Sequence, residues 1–459
     1  MAIDLRDLDS QWAWAPFEPS PQRPWSRRLA AHLYRRAGFG ATSDELDKAA
    51  KLGPSTAIDR LFNPPAPPPE FERDSALLAD RTADSGDPHD LAAWWLYRML
   101  NTPDAPLEKL TLFWHGHFAT SAVKVQKLQM MLDQNELLRS HARGKFDAMV
   151  RAISRDPAML IYLDSTTNRR IHPNENYARE LMELFTLGVG NYSERDIKEL
   201  ARAFTGYEVM GDGFRFDAAQ HDTGTKSFLG RSGNFDGDAA VRVVLDQPAA
   251  PRFIARKLIR YFAFDEPAAP DVLVEPIAAD LRAHDFQIDV AVRRILASNL
   301  FFSDHSVARK VRSPVELCVG LMRALGGTTD LVRLAHGSAD LGQALFEPPN
   351  VKGWDGGRAW INSSTLLGRA NLVGQVLSES ETRFDASGDS LAAAADHAGA
   401  TSPEAAVEWL LELLVAAPIP ATARAVLVKL ASPDDSGDRS RALANVIHAM
   451  SALPEFQLA

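Results

Sequence analysis

The sequence predicts a mainly α-helical protein: a large multi-helix globular body with one small β-hairpin inserted near residues 214–229. Apolar residues recur at helical spacing along most of the 459 residues, which is typical of amphipathic helices packed around a core. Hydrophobic residues make up 46% and charged residues 24% of the chain, as in ordinary globular proteins. No fixed-period repeat is evident, so a solenoid is not expected.

Three segments are expected along the chain. Residues 1–25 combine tryptophans with prolines and are predicted to form an extended N-terminal arm. Residues 26–375 carry the motifs described below and are predicted to form the helical domain. Residues 376–459, in which alanine is abundant, are predicted to be a C-terminal helical segment packed on that body.

Local signals place individual elements within the main domain. Thr42 or Ser43 is suited to cap an early helix, and Ser193 followed three positions later by Asp196 resembles a capping box. The proline-rich stretch 63–69 cannot be helical and is expected to be a stiff connector.

One further helix and the hairpin are expected around the polar motifs. The helix is predicted from about residue 175 to residue 187, where Gly188 and Gly190 stop it. Phe214–Phe216 and Lys226–Leu229 flank a polar turn and are expected to be the two strands of one hairpin.

Composition restricts the classes of function. The net charge is −10, from 50 Lys and Arg against 60 Asp and Glu. Because affinity for nucleic acid depends on neutralising phosphates with cations, nucleic acid is not expected as the main ligand. The single cysteine, Cys318, excludes an internal disulfide and a thiolate cluster.

The sequence also bears on location. No stretch has the roughly 18 consecutive apolar residues of a spanning helix, so the chain is not expected to be an integral membrane protein. The first residues include Asp4, Arg6, Asp7 and Asp9, where a signal peptide has a basic start and an apolar middle. No signal peptide is therefore expected, and the cytoplasm is the default location.

The first candidate site is the aromatic segment Phe113–Phe118, which contains His115 and His117. Two imidazoles in a dry pocket suit a transition metal. Side chains at positions i and i+2 of an α-helix point about 200° apart, so both histidines reach one ion only if Gly116 breaks the helix. The alternative is one core histidine bonded to a carbonyl group and one histidine at the surface.

The second candidate is a polar stripe on the predicted helix after residue 175. Asn176, Glu180 and Glu183 fall within about 60° of one another on a helix. The two carboxylates would share a metal or a proton, because like-charged neighbours raise one pKa and so suit acid–base catalysis. The alternatives are an ordinary solvated face and a structural salt bridge to Arg179.

The third and fourth candidates lie in loops. His221 and Asp222 stand in the predicted hairpin turn, where the carboxylate would orient the imidazole or join it at a metal; an ordinary turn also explains Asp222. Further on, Trp354 and Trp360 stand among small polar residues and would form a platform for a sugar or a cation. In that platform Asp355 and Asn362 would supply polar contacts, and the alternative is a loop pinned by two buried indoles.

Several motifs are absent. The chain has no phosphate loop ending in Gly-Lys-Ser/Thr, no His-Glu-x-x-His and no Gly-x-Ser-x-Gly. The hydrolases and nucleotide enzymes that these motifs identify are therefore excluded.

The order of the motifs resembles that of a bacterial family, the "domain of unknown function 1800" family, over about residues 26–375. The segments that carry the resemblance are His32–Gly40, Trp114–Phe118, Asn174–Leu181, His221–Lys226 and Asn350–Trp354. The resemblance implies an all-helical fold and, as a partner, a member of the exported "domain of unknown function 1501" family, which is similar to sulfatases. It thereby implies an envelope setting. Some relatives carry a histidine where this chain has Phe185.

Two functional hypotheses follow. In the first, the protein is a metal-dependent enzyme of unknown substrate, in which His115, His117, Glu180, Glu183 and His221 converge on a divalent transition metal and Asp222 orients His221. The catalytic residues would then be Glu180, Glu183, His221 and Asp222. In the second hypothesis, the protein is a non-catalytic scaffold or a carbohydrate-binding partner of an exported protein, and its platform consists of Trp354, Asp355, Trp360 and Asn362.

Overall fold

The computed structural model describes residues 4–384, 390–432 and 437–459, with the side chains of residues 83 and 84 left out. Helices account for 61% of the chain, and the only strands among the described residues form two small antiparallel pairs. The predicted mainly α class is thus confirmed.

The helices of the first half of the chain are α1 (Ser10–Trp14), α2 (Arg27–Ala37), α3 (Ser43–Leu52), α4 (Pro54–Phe62), α5 (Pro69–Ser85), α6 (Pro88–Asn101), α7 (Ala105–His117), α8 (Ala122–Val125), α9 (Leu128–His141), α10 (Phe146–Ile153), α11 (Pro157–Tyr162), α12 (Asn176–Glu180) and α13 (Glu194–Ala203). Those of the second half are α14 (Gly237–Leu245), α15 (Ala249–Phe262), α16 (Asp271–Ala283), α17 (Ile288–Ala297), α18 (Pro314–Ala324), α19 (Leu331–Asp340), α20 (Ser363–Ser378), α21 (Leu391–His397), α22 (Pro403–Leu414), α23 (Ala421–Ala431) and α24 (Arg439–Ser451).

The helix starts follow the local sequence. Thr42 caps α3, and Ser193 caps α13 in a capping box with Asp196, both as predicted. The helix predicted from about residue 175 is also present, but it changes its winding: α12 continues directly into a π-helix, Leu181–Thr186. Single π-turns inserted in helices are frequent at functional sites.

The strands correct the prediction of one hairpin. β1 (Tyr207–Met210) pairs with β2 (Gly213–Phe216), and β3 (Lys226–Phe228) pairs with β4 (Arg231–Gly233). Phe214–Phe216 and Lys226–Phe228 therefore belong to different hairpins. The physical reason lies in the turns: Gly211 and Gly230 have φ angles of 64° and 76°, which glycine adopts readily and which each two-residue turn requires.

The N-terminal arm is partly helical rather than extended, since it contains α1. It is held to the body by Trp14, whose Nε1–H donates to the Leu273 carbonyl at 2.9 Å. The backbone of Asn299 also donates to the Ala15 carbonyl at 2.9 Å. The division of the chain into three segments stays a prediction.

Two adjacent buried charges hold α7 in place. Glu108 accepts from Arg139 of α9 at 2.7 Å and from Trp95 of α6 at 2.8 Å. Lys109, on the other side of α7, pairs with Glu316 of α18. Because removing one partner of a buried pair costs several kcal/mol, these contacts fix where α7 ends and hence where its histidines lie.

Among the described residues, none of the helices combines the length with the apolar character that crossing a bilayer would need.

Candidate functional site

A cleft of about 550 Å³ opens beside the C-terminal half of α7. Its walls are α7, α15, the segment 310–316 at the start of α18, and the loop between α19 and α20. This volume lies within the range of small-molecule sites. The residues used below that line the cleft are Phe113, Gly116, His117, Lys257, Arg260, Tyr261, Asp265, Glu266, Lys310, Glu316, Lys352, Trp354, Asp355, Arg358 and Trp360.

The loop that closes the cleft is docked on α7 through two glycines. A Cβ atom at Gly353, whose φ is +79°, would lie 2.3 Å from the carbonyl oxygen of Gly116. A side chain at this position would clash with the helix backbone, so only glycine permits the approach. Gly116 supplies the backbone carbonyl that the loop approaches, and α7 continues through it to His117.

His115 is a core residue. It is 1% exposed, its Nε2 accepts from the backbone N–H of Phe346 at 3.1 Å, and burial lowers its pKa to about 3. Phe346 has a φ of +64°, which is strained for an aromatic residue. The hydrogen bond to His115 helps to stabilise this backbone conformation of Phe346. The low pKa means that the imidazole of His115 is neutral.

His117 faces the cleft from the same helix. Its Nε2 donates to the Phe185 carbonyl at 3.0 Å, and its Nδ1 lies 2.9 Å from Nζ of Lys257. Because a carbonyl can only accept, Nε2 carries the hydrogen and Nδ1 carries the lone pair. Burial, and then the charge of Lys257, hold the pKa of His117 well below its usual range.

Lys257 is the residue of this site that the sequence interpretation missed. It lies on α15, and its Nζ also donates to the Leu184 carbonyl at 3.2 Å. Burial, followed by the charges of Arg260 and Lys352, lowers its pKa to about 7. A signal was present: Arg252, Arg256 and Arg260 form the exposed stripe of α15 at i, i+4 and i+8, and Lys257 lies off that stripe.

The aromatic loop supplies the outer wall. Trp354 is half-buried and lies with its ring centroid 5.7 Å from that of His115, and Trp360 is 8% exposed. Asp355 pairs with Lys352 at 2.8 Å. Asn362 does not line the cleft, because its side chain caps α20 by accepting from Ser364 and Thr365. Three of the four predicted platform residues thus lie together, and Asn362 has a structural role.

Two cations of the cleft form no salt bridge with a described acid. Lys310 pairs with Glu316 at 3.3 Å, Arg358 with Glu266 at 2.9 Å, and Lys352 with Asp355. Arg260 donates to the Asp355 carbonyl at 2.7 Å, and its charge also lowers the pKa of the Asp355 carboxyl. Lys257 has the two acceptors named above and no carboxylate among the groups that shift its pKa. Asp265 also lines the cleft and accepts from the backbone of Val311 at 2.8 Å. The lining thus holds five basic and four acidic side chains, and this small excess of cations favours an anionic ligand.

Glu180 and Glu183 lie outside the cleft. Both are half-buried, and Glu183 accepts from the hydroxyl of Tyr192 at 2.6 Å. Burial, and then the charge of Glu183, raise the pKa of Glu180, and the charge of Arg179 lowers it by a smaller amount. Arg179 forms its ion pairs with other glutamates, with Glu194 at 2.8 Å and with Glu175 at 3.3 Å.

His221 and Asp222 lie at the end of α13. Nδ1 of His221 donates to the Thr205 carbonyl at 2.9 Å. Asp222 binds Arg202 through both oxygens, at 2.7 and 3.2 Å, and accepts from the backbone of Gly224. The carboxylate therefore closes a turn against α13, and a backbone carbonyl, rather than Asp222, orients the imidazole.

The predicted metal ligands are not gathered at one point. Within residues 4–384, 390–432 and 437–459, no group of three or more His, Cys, Asp or Glu side chains is arranged to hold an ion. His117 reaches the cleft, His115 is enclosed in the core, and the glutamates and His221 lie elsewhere. What the structure brings together is His117, Lys257 and the aromatic loop.

One protein family has a sequence profile that matches residues 32–458, with the description "Protein of unknown function (DUF1800)". The chain belongs to this family. The match extends past residue 375, so helices α21 to α24 are part of the DUF1800 region together with the motif-bearing body. Comparison with curated proteins and with solved structures gave no match.

Proposed function

We propose that this DUF1800 protein binds an acidic carbohydrate in the cleft between α7, α15 and the aromatic loop. The observation that carries the proposal is the combination in one cleft of a half-buried indole, Trp354, with two cations that form no salt bridge with any described residue, Lys257 and Arg260. Indole faces bind the apolar faces of sugar rings, and the guanidinium suits a carboxylate.

The proposal follows the carbohydrate-binding alternative of the sequence interpretation. The metal-dependent alternative requires imidazoles and carboxylates around one ion, and those side chains have other neighbours here. A divalent metal therefore enters no part of the proposal. A partner from the DUF1501 family and an envelope location remain predictions of the family resemblance.

The test is a titration of the full chain, followed by tryptophan fluorescence and calorimetry, with matched acidic and neutral oligosaccharides such as trigalacturonate and maltotriose. Binding of the acidic sugar alone is expected. Trp354→Ala should abolish it, whereas Trp12→Ala, on the N-terminal arm, should leave it unchanged.

The charge of the ligand is tested separately. Arg260→Gln should weaken binding roughly tenfold or more, since a hydrogen bond to a charged group contributes about 1.5–3 kcal/mol. Arg256→Gln, on the same helix but paired with Asp271, is the control. Equal affinity for neutral and acidic sugars would contradict the acidic part, and no binding of either would contradict the whole.

A further inference from the structure

Lys257 differs from the other lysines that surround the cleft. Lys310 pairs with Glu316, and Lys352 pairs with Asp355. Lys257 instead lies on α15 between Phe253 and Tyr261, one turn away on either side, with its Nζ 4.9 Å from the centre of the Phe253 ring. An amine in such surroundings is poorly solvated.

The hydrogen bonds around Nζ can be made by the neutral amine. The two groups that face it are both acceptors: Nδ1 of His117 at 2.9 Å and the carbonyl of Leu184 at 3.2 Å. Nδ1 accepts because the hydrogen of His117 is on Nε2, which donates to Phe185. In the neutral form the amine has two N–H bonds, which these two acceptors can use, so its lone pair is left outside the hydrogen bonds.

The charged groups around Lys257 act in the same direction. Arg260, on the same helix, and Lys352, on the aromatic loop, carry positive charges near it, whereas His117 on α7 is neutral. No carboxylate is among the groups that shift the pKa of Lys257. Burial is the largest cause that brings its pKa to about 7. A large share of the chains therefore carries the free amine at neutral pH, which is the nucleophilic form.

We propose that Lys257 is a nucleophilic amine that captures a carbonyl-bearing ligand of the cleft as a Schiff base. Nζ attacks the carbonyl carbon to give a carbinolamine, and loss of water then forms the C=N bond. The departing water takes the carbonyl oxygen and both amine hydrogens, with Nδ1 of His117 the nearest group to relay one of them. No oxidant or reductant is required.

The surroundings also define the ligand's chemical class. Arg260, which forms no salt bridge with a described acid, lies near Lys257, so a carboxylate beside the carbonyl would be bound by charge. The ligand class is thus a 2-oxo acid, of which glyoxylate is the smallest member and which includes the open-chain form of a 2-oxo sugar acid. This inference rests on the proposed binding of an acidic ligand and names the group of that ligand that reacts.

The experiment traps the adduct. The full chain is incubated at pH 7 with glyoxylate and sodium cyanoborohydride, and the modified lysine is located by peptide mass spectrometry. Lys257 should be carboxymethylated roughly a hundredfold faster than an ordinary exposed lysine, whose amine has a pKa of about 10.4. This figure allows for the lower intrinsic nucleophilicity of a less basic amine.

Variants and pH make the assignment specific. Lys257→Met should lose the fast adduct, Lys257→Arg should lose it while keeping a cation, and Lys145→Met, an exposed lysine on another face, should keep it. The rate should rise with pH and level off near pH 7 to 8. Circular dichroism and thermal unfolding confirm that each variant is folded.

The outcomes separate the two proposals. Adducts spread over exposed lysines, or a fast adduct that persists in Lys257→Met, would overturn the Schiff base. If trigalacturonate still binds the wild-type chain in that case, the binding function stands without it. A fast adduct at Lys257 in a chain that binds neither trigalacturonate nor maltotriose would support the amine and overturn the carbohydrate proposal.

Discussion

Replacing Gly353 with alanine should detach the aromatic loop from α7. The added Cβ would stand 2.3 Å from the Gly116 carbonyl oxygen, and the φ of +79° is one that alanine adopts only with strain. The left-handed backbone costs a non-glycine residue roughly 1–2 kcal/mol, and overpacking costs roughly 1–3 kcal/mol. Together these costs predict that the free energy of unfolding falls by roughly 2–5 kcal/mol if the loop stays in place.

The control is the other glycine of the pair. A Cβ at Gly116 would meet only Cε3 of Trp354, at 3.9 Å, which is an ordinary contact. Gly116 lies within α7, where alanine is favoured over glycine by about 0.5–1 kcal/mol. Gly116→Ala should therefore leave stability unchanged or raise it, so the two substitutions have opposite expected signs.

The assays are urea unfolding followed by tryptophan fluorescence, and hydrogen exchange of the backbone amides of residues 350–360. In Gly353→Ala the unfolding midpoint should fall, or exchange in this loop should increase at unchanged global stability, because the loop can relieve the clash by lifting off. The reasoning would be refuted by a Gly353→Ala protein with wild-type stability and wild-type exchange, or by equal damage from Gly116→Ala.

Two further predictions concern buried charges. Glu316→Gln should lower the free energy of unfolding by about 3–5 kcal/mol, because it leaves Lys109 and Lys310 buried without their acid. The control, Glu275→Gln, lies in an exposed pair with Arg252 and should lower the free energy of unfolding by at most about 1 kcal/mol. Denaturant unfolding measures both effects, and equal effects would contradict this ranking. The pKa of Asp156 is raised from 3.8 to about 7, chiefly by burial, so the folded chain favours its protonated form. The free energy of unfolding should therefore fall as the pH rises between about 4 and 7, by up to the order of 4 kcal/mol, and should stay low above pH 7. Asp156→Asn should remove that part of the pH dependence of thermal unfolding, and the control Asp246→Asn, at an exposed position, should not. If Asp156→Asn kept the wild-type pH profile, the carboxylate of Asp156 would be stabilised in the fold and the prediction would be wrong.

The fold could be predicted largely from local patterns. Thr42, and Ser193 with Asp196, begin helices as predicted, because a cap bonds to a backbone group within three residues. The hairpins were placed in the right region but paired wrongly. Strand pairing depends on the turns, and the two-residue turns at Gly211 and Gly230, rather than the longer polar segment between Phe216 and Lys226, join the paired strands.

The candidate site could be predicted only in part. Trp354, Asp355 and Trp360 line the cleft, since one short loop carries all three. The metal hypothesis required His115 and His117 of α7 to meet Glu180 of α12. Helical spacing within one element does not determine where another element lies. Lys257 was missed for the same reason: its partner His117 is 140 residues away.

The sequence alone determined the helical class, the family resemblance and the residues capable of chemistry, because these depend on composition, spacing and order. The tertiary structure alone decided which of them meet. Burial and long-range contacts set the protonation of each side chain. One histidine of α7 is therefore a core acceptor and the other bonds to Lys257, while the backbone of Gly116 between them is the surface on which the aromatic loop docks.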